Sequence, residues 1–365
     1  MRAAGGSIGG PETVVLTAAA AFADSVFIVP RLLVADAGRA GIVALLLVSL
    51  AAIAWAAVVA GQARKVAQRS LPLALAARGG VFGRGWLIVL AGFEVLIAAA
   101  VVLQYTSMAA AIILPGESRL TISAVITLAA FTAARHRIQG LARTVFVSFL
   151  FAGILAVAAF ALLLARSEQL ASVLPGPHLT PGPILIGALD SSVLYAGVTS
   201  IVTFLPAHRP SRWIPSVVGG TMLVGLLVLV AYVASVATGG PAYVLTQLWP
   251  VVAALRTLVL ASFVLNRFGL VVVLTWSAFV LTFAAIHLWA AAEYTCIAIG
   301  SDRRRALVAL AAAALVLAFS AFGGSQADSE TFLRVVIDPA VVAVFATWLL
   351  LAFLLTQHRT QAARG

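Results

Sequence analysis

The sequence predicts an all-α polytopic membrane protein. Its ten transmembrane helices form two inverted five-helix repeats, about 13–165 and 183–356, with the first and sixth helices broken. Three observations carry this. The 365 residues are 63% hydrophobic and 10% charged, against about 25% charged in a soluble domain, and mean hydropathy is +1.12. The apolar residues gather into runs of roughly 20, the length that crosses a bilayer as helix. The basic residues alternate between the gaps in the way the positive-inside rule requires.

The first run, 13–34, carries an aspartate near its middle, in Ala21-Phe22-Ala23-Asp24-Ser25-Val26-Phe27-Ile28-Val29-Pro30-Arg31. A carboxylate at the bilayer midplane costs roughly 2.5–3.5 kcal/mol on insertion scales, so Asp24 marks a partner, a cavity or a function. Pro30 lacks the N–H that a continuous helix would use. The run imitates a signal peptide, but Glu12 at its head and the resumption of apolar sequence at Val26–Val34 favour a retained first helix. The remaining spans are read at 41–61, 86–113, 119–134, 142–165, 183–206, 215–238, 268–297, 305–322 and 335–356. Pro250 and Arg256 interrupt the apolar stretch 249–265, which is expected to lie across the outer mouth or to re-enter.

Of the 23 basic residues only Lys65 is a lysine. With the N-terminus inside, the inner gaps hold Arg64, Lys65, Arg69, Arg78, Arg84, then Arg135, Arg137, Arg143, then Arg209, Arg212, then Arg303, Arg304, Arg305. Arg2, Arg359 and Arg364 join them at the termini. The outside keeps Arg31, Arg39, Arg119, Arg166, Arg256, Arg267 and Arg334, together with the acidic stretch Ser325–Glu330. Both termini are therefore expected to be cytoplasmic. The net charge of +11 is spread over these gaps, so it does not indicate a nucleic-acid partner. The single Cys296 excludes an intrachain disulfide and a Cys-based metal site, and is expected to be a small core residue.

The Pro- and Gly-rich connector 174–183 falls between the fifth and sixth spans, at the join of two halves. The breaks match across that join. Asp24 precedes Pro30 by six residues, and Ser200 precedes Pro206 by six, just after Gly197. Interrupted helices at corresponding places mark transporter binding sites, and freed backbone is tolerated in a membrane only where it is buried in protein or lines a cavity. The candidate ligand site is therefore Ala23, Asp24, Ser25, Gly197, Thr199 and Ser200. Small and hydroxyl residues also serve helix packing, so the sixth span alone is open to that reading.

Other intramembrane ions are weighed in the same way. Glu94, in the inner half of the third span, is a candidate for a substrate amine, a proton, or a structural pair with an inner arginine. Asp190, opening the polar run Asp190-Ser191-Ser192, is a possible proton or structural acid. Glu293 is expected to pair with Arg303–Arg305, and Asp338 with Arg334 at the outer surface. Arg267 is expected to snorkel, and Trp276 and Trp289 to be belt or packing aromatics. No enzyme signature is present: the five histidines are scattered, mostly at loop ends, and Gly79–Gly83 reads as a Gly-rich inner loop without phosphate-site context. No cofactor or metal is called for.

With this topology the chain resembles the B subunits of bacterial spore germinant receptors (GerAB-like), within the amino acid/polyamine/organocation transporter superfamily. The residues that carry the likeness are Ile28-Val29-Pro30-Arg31 and Ala37-Gly38, Ile112-Ile113-Leu114-Pro115, Arg137-Ile138-Gln139-Gly140-Leu141-Ala142-Arg143, Pro183-Ile184-Leu185-Ile186-Gly187, Phe204-Leu205-Pro206, and Arg267-Phe268 with Trp276. Three positions depart from the family pattern. Ala23-Asp24-Ser25 stands where a Gly-x-Gly-like break is usual, Thr199 after Gly197-Val198 where a Glu often follows a Gly-Phe pair, and Asn266 where Glu often precedes Arg267. The resemblance implies the LeuT/APC-type fold and a germinant-receptor subunit that binds a small nutrient, an amino acid, between helices 1 and 6. It also implies the inner spore membrane and two partners, an A-type membrane subunit and a C-type lipoprotein subunit. A proton-coupled amino-acid permease with the same core, and a scaffold with a dead pocket, remain open alternatives.

Overall fold

The computed structural model describes residues 7–66, 70–177, 179–259, 268–322 and 330–362. Within these, the side chains at 24, 25, 210, 270, 322 and 357–362 are not described. Arg2, Arg69, His178, Asn266, Arg267, Arg364, 325–329 and the side chains of Asp24, Ser25, His358 and Arg359 therefore lie outside the described residues.

The described chain is almost entirely helical, with a single isolated bridge between Ile8 and His208. The helices are α1 (Gly10–Ala21), α2 (Val29–Ala37), α3 (Gly41–Ala63), α4 (Leu71–Arg78), α5 (Gly80–Ile112), α6 (Arg119–Ala134), α7 (Ile138–Ala165) and α8 (Pro181–Asp190). They continue with α9 (Ile201–Phe204), α10 (Trp213–Thr246), α11 (Pro250–Arg256), α12 (Phe268–Thr275), α13 (Ser277–Ile299), α14 (Arg305–Phe322) and α15 (Asp338–Ala362). Each of the ten apolar runs read from the sequence falls on helix. Six helical stretches are long and apolar enough to cross a membrane unaided: 29–63, 80–112, 138–165, 213–246, 271–299 and 330–356. A seventh arises if Pro181–Asp190 and Ser192–Ala207, bent by 44°, are one span. Helices 119–134 and 305–321 are apolar but shorter, and α1 has 12 residues.

Burial sorts these helices. The apolar windows of 80–112 and 271–299 are 72% and 67% buried, against 33% for 138–165 and 28% for 330–356. Helices α5 and α13 pack against each other more extensively than any other pair and form the centre, while α7 and α15 turn much of their surface outward. Lipid solvates apolar side chains, so exposed Leu50, Phe151, Ile154 and Leu350 on the outer helices carry no penalty.

The starts of α1 and α10 are tied together. The Ile8 N–H donates to the Ala207 carbonyl at 2.9 Å, and the His208 ring lies 3.0 Å from the Ile8 carbonyl and 3.2 Å from the Ser216 hydroxyl.

Several expectations shift. The Gly-rich segment Gly80–Gly83 is the first turn of α5 and not a loop. Helix α5 thus starts six residues earlier than the span read from the sequence, and Glu94 sits in its first half, just before the middle. A short helix, α4, occupies the gap between α3 and α5. The tenth span opens with a π-helical turn at Leu333–Ile337. Trp276 and Trp289 are fully buried packing residues, and Cys296 is buried as expected.

Candidate functional site

Helix α1 stops because its backbone leaves the helical region at Phe22, which is extended at φ −87°, ψ 105°. The chain passes Ala23, makes a 3-10 turn over Asp24–Phe27 and resumes as α2 at Val29. The last carbonyls of α1 lose their intrahelical donors here. A wall of rings holds the interruption from one side. Phe22 lies 5.4 Å from Trp276 and 5.0 Å from Phe279, and Phe27 lies 4.6 Å from Trp276, centroid to centroid.

The second interruption follows α8. Residues Ser192–Ser200 form a nine-residue 3-10 segment before the short α9 and a further 3-10 turn that includes Pro206. This segment packs directly on α1 and on the turn Asp24–Phe27. Gly197 is the point of closest approach. A Cβ there would overlap the Ala20 carbonyl oxygen and stand 2.9 Å from His287 Nε2. The residue must be glycine because two backbones meet, not because of its torsion angles.

Of the sequence-derived site residues, Ala23, Gly197, Thr199 and Ser200 are buried around this junction. The backbone of Asp24 and Ser25 is in the adjoining 3-10 turn. The Thr199 hydroxyl donates to the Ala196 carbonyl and the Ser200 hydroxyl to the Gly197 carbonyl, both at 2.8 Å. Each donor is used within its own segment, so what these groups can still offer a ligand is acceptor lone pairs.

Glu94 is buried, and its partner is not an inner arginine. Its carboxylate pairs with Nδ1 of His287 on α13, also fully buried. The opposite nitrogen, Nε2, lies 3.0 Å from the Ala20 carbonyl at the end of α1. One ring thus links α5, α13 and the first interruption. His287 is mid-helix, not at a loop end. It is an ionisable residue inside an apolar run, the same signal that singled out Asp24 and Glu94.

Asp190 belongs to a different cluster. It and Asp36 accept from Arg334 at 3.1 and 3.3 Å. Arg334 does not pair with Asp338. That carboxyl is buried beside the Val193 backbone N–H, yet neither oxygen completes a hydrogen bond among the described residues. The physical reason is register: on the π turn and α15, Arg334 and Asp338 are four residues apart, but α2 and α8 present two carboxylates to the arginine. Arg31 pairs with Glu330 nearby. Arg305 pairs with Glu293, as expected, and its guanidinium lies 5.5 Å from the Trp289 ring.

Sequence reasoning also passed over Gln104. It is buried on α5, and neither its amide oxygen nor its nitrogen has a partner among the described residues. It borders a cavity of about 10 Å³, room for one water, walled by Ile97, Val101, Val193, Phe283, Leu333 and Ile337. A larger, mostly apolar cavity of about 580 Å³ lies between α3, α8 and α15, lined by Trp55, Leu185 and Phe345 and, from the second interruption, by Ser192 and Tyr195. No group of three or more metal-ligating side chains occurs among the described residues.

Interrupted, packed helices around a polar centre define a polytopic membrane protein of the LeuT/APC transporter fold. Three solved structures share that fold. A structure of MhsT in complex with L-phenylalanine is 17% identical (TM-score 0.64), covering 94% of this chain and 87% of that one. A Na+-coupled sialic acid symporter is 14% identical (TM-score 0.64), covering 96% and 79%. A manganese transporter of Eremococcus coleocola is 12% identical (TM-score 0.59), covering 95% and 84%. No curated protein sequence is significantly similar to the chain. The family profile described as "Spore germination protein" (Spore_permease) matches residues 8–326, and the chain belongs to that family.

Proposed function

We propose that this chain is the ligand-sensing membrane subunit of a spore germinant receptor. It binds a small nutrient, an amino acid, at the junction of the two interrupted helices. The observation that carries this reading is the contact of the Ala20 carbonyl with Gly197. Two backbones freed from regular α-helix meet at the protein centre, in a member of a spore germination family. Helix α1, its 3-10 turn and α2 form the first of ten spans, and the shorter helices α6 and α14 complete the count. Both termini are cytoplasmic, and the membrane is the inner membrane of the spore. Freed N–H and C=O groups beside Ala23, Asp24, Ser25, Gly197, Thr199 and Ser200 hold the ligand's carboxylate and ammonium. The unpartnered amide of Gln104, set among apolar walls that include Phe283, faces its side chain. The likeness to a fold that in MhsT holds L-phenylalanine supports an amino acid as the ligand.

The cavity at Gln104 has room for only one water, so ligand entry requires the π turn Leu333–Ile337 to move from α5. A ligand shifts such an equilibrium only through its differential affinity for the two states. A-type membrane and C-type lipoprotein subunits read the shift. A thermal-shift screen of the purified protein against amino acids, sugars and nucleosides tests this. Stabilisation by one or a few amino acids is expected, and no stabilisation by any compound overturns it. The buried Glu94–His287 pair favours a second reading, a proton-coupled amino-acid permease with the same core. Uptake of a radiolabelled amino acid into proteoliposomes under an imposed pH gradient separates the two.

A further inference from the structure

The geometry points to a proton-binding site made by Glu94 and His287, whose occupancy decides whether the end of α1 is held to α13. This deepens the reading above, because it rests on the junction of the two interrupted helices being the ligand site.

The His287 ring touches two acceptors at once: the Glu94 carboxylate at Nδ1 and the Ala20 carbonyl at Nε2, 3.0 Å away. A carbonyl has no hydrogen to give, so the Nε2 contact is a hydrogen bond only when Nε2 carries a proton. The Nδ1 contact is satisfied by a proton on either partner. Both bonds exist together only when the pair holds two protons, as imidazolium with carboxylate or as neutral imidazole with carboxylic acid. Remove one, and a neutral imidazole with a single N–H faces two acceptors. The carboxylate, bearing full charge, keeps that hydrogen because charge-assisted bonds are the stronger. The proton that leaves is the one at Nε2, and the Ala20 carbonyl then faces a lone pair. Ala20 is among the last residues of α1, whose carbonyls lack intrahelical donors, and at 0% exposure it has no water to turn to. Loss of the proton therefore pushes the end of α1 away from α13, and Gly197, seated on the same carbonyl, moves with it or parts from it.

Few other charges face the pair. Tyr294 on α13 is buried within electrostatic reach of Glu94. Glu293 and Cys296 lie toward Arg305, which Glu293 holds. On α5, Arg84 and Tyr105 are ten and eleven residues from Glu94, about 15 Å along the axis. Helix α1 brings only Glu12, at its far end and bonded to Gly9. Helix α6 brings Arg119 in its first turn and α7 brings Arg143 in its second, α4 brings Arg78, bonded to the Leu355 carbonyl, and α9 and α12 bring none. Tyr195 on the 3-10 segment is bonded to Ser49, and Arg334 to Asp36 and Asp190. Asp24 is the remaining rival, so the test must separate it.

The test is hydrogen exchange of the Ala18–Ala23 amides in the full chain in lipid nanodiscs without nutrient, from about pH 5 to about 9, the range in which histidine ordinarily titrates. Rates are corrected for intrinsic exchange. Protection should fall about tenfold as pH rises through one transition, the size of one hydrogen bond lost. Glu94→Gln and His287→Gln should each abolish or displace that transition, and Asp24→Asn should keep it. A flat wild-type profile, a transition unchanged in both Gln variants, or one lost only in Asp24→Asn overturns the site. Should the Gln variants fail to fold, Glu94→Asp, a carboxylate of shorter reach, must move the midpoint, and an unmoved midpoint overturns it. No nutrient is present, so failure here leaves nutrient binding to its own assay, and the reverse.

Discussion

Replacing Gly197 by alanine should separate the two interrupted helices. The added methyl would overlap the Ala20 carbonyl oxygen and lie 2.9 Å from His287 Nε2. Overpacking costs about 1–3 kcal/mol where side chains can give way. Here one obstacle is backbone at the end of a helix and the other is a ring held at both nitrogens, so the upper end applies. The His287–Ala20 hydrogen bond, about 1 kcal/mol net, is lost in the same displacement. Together these give about 3–4 kcal/mol against the packed arrangement, a factor of about 140 to 700 in its population. Gly153 on α7 is the matched control, because a Cβ there meets nothing within 4 Å and gains helix propensity of up to about 1 kcal/mol. The assay is the heating midpoint of the full chain in detergent, followed by size-exclusion recovery. Gly197→Ala should melt well below wild type, and Gly153→Ala at or above it. A Gly197→Ala protein that melts with wild type and binds ligand normally would refute the claim that these backbones touch.

Arg334→Ala leaves Asp36 and Asp190 without their cation. Because Arg334 is partly exposed (32%), the loss should be about 1–2 kcal/mol, seen as a lower melting midpoint that acid pH partly restores; no pH-dependent recovery would count against the cluster. Gln104→Leu removes an unpaired amide of similar size, so it should stabilise the empty protein by about 1–3 kcal/mol while abolishing the thermal shift given by ligand. Loss of both stability and binding would show the amide to be structural. Asp24→Asn should alter ligand response more than Glu293→Gln does, without preventing insertion, and equal, mild effects in a germination assay would remove Asp24 from the site.

The apolar helices were legible because lipid is a severe solvent: it admits long apolar helix and rejects charge. For the same reason Asp24 and Glu94 stood out as ions in apolar runs. His287 carried that signal too, but it was grouped with histidines at loop ends, and a neutral imidazole is a weaker violation than a carboxylate. The helix starts were less legible. Gly80–Gly83 looks like a loop by composition, yet it is helix, because tertiary packing of α5 on α4 and α13 outweighs glycine's low propensity.

What sequence alone could determine was that the chain is a polytopic helical membrane protein, where its apolar runs lie, and where ionisable residues, proline and glycine punctuate them. Those are local properties, set by a residue's cost in lipid and by proline and glycine in the backbone. Which groups meet was decided by the tertiary structure. Glu94 and His287 are 193 residues apart, Arg334 chose Asp36 and Asp190 over its near neighbour Asp338, and Gly197 is required by a carbonyl on another helix. Pairings of this kind depend on the rotation and register of packed helices, to which hydropathy is blind, since a buried face and a lipid-facing one are equally apolar.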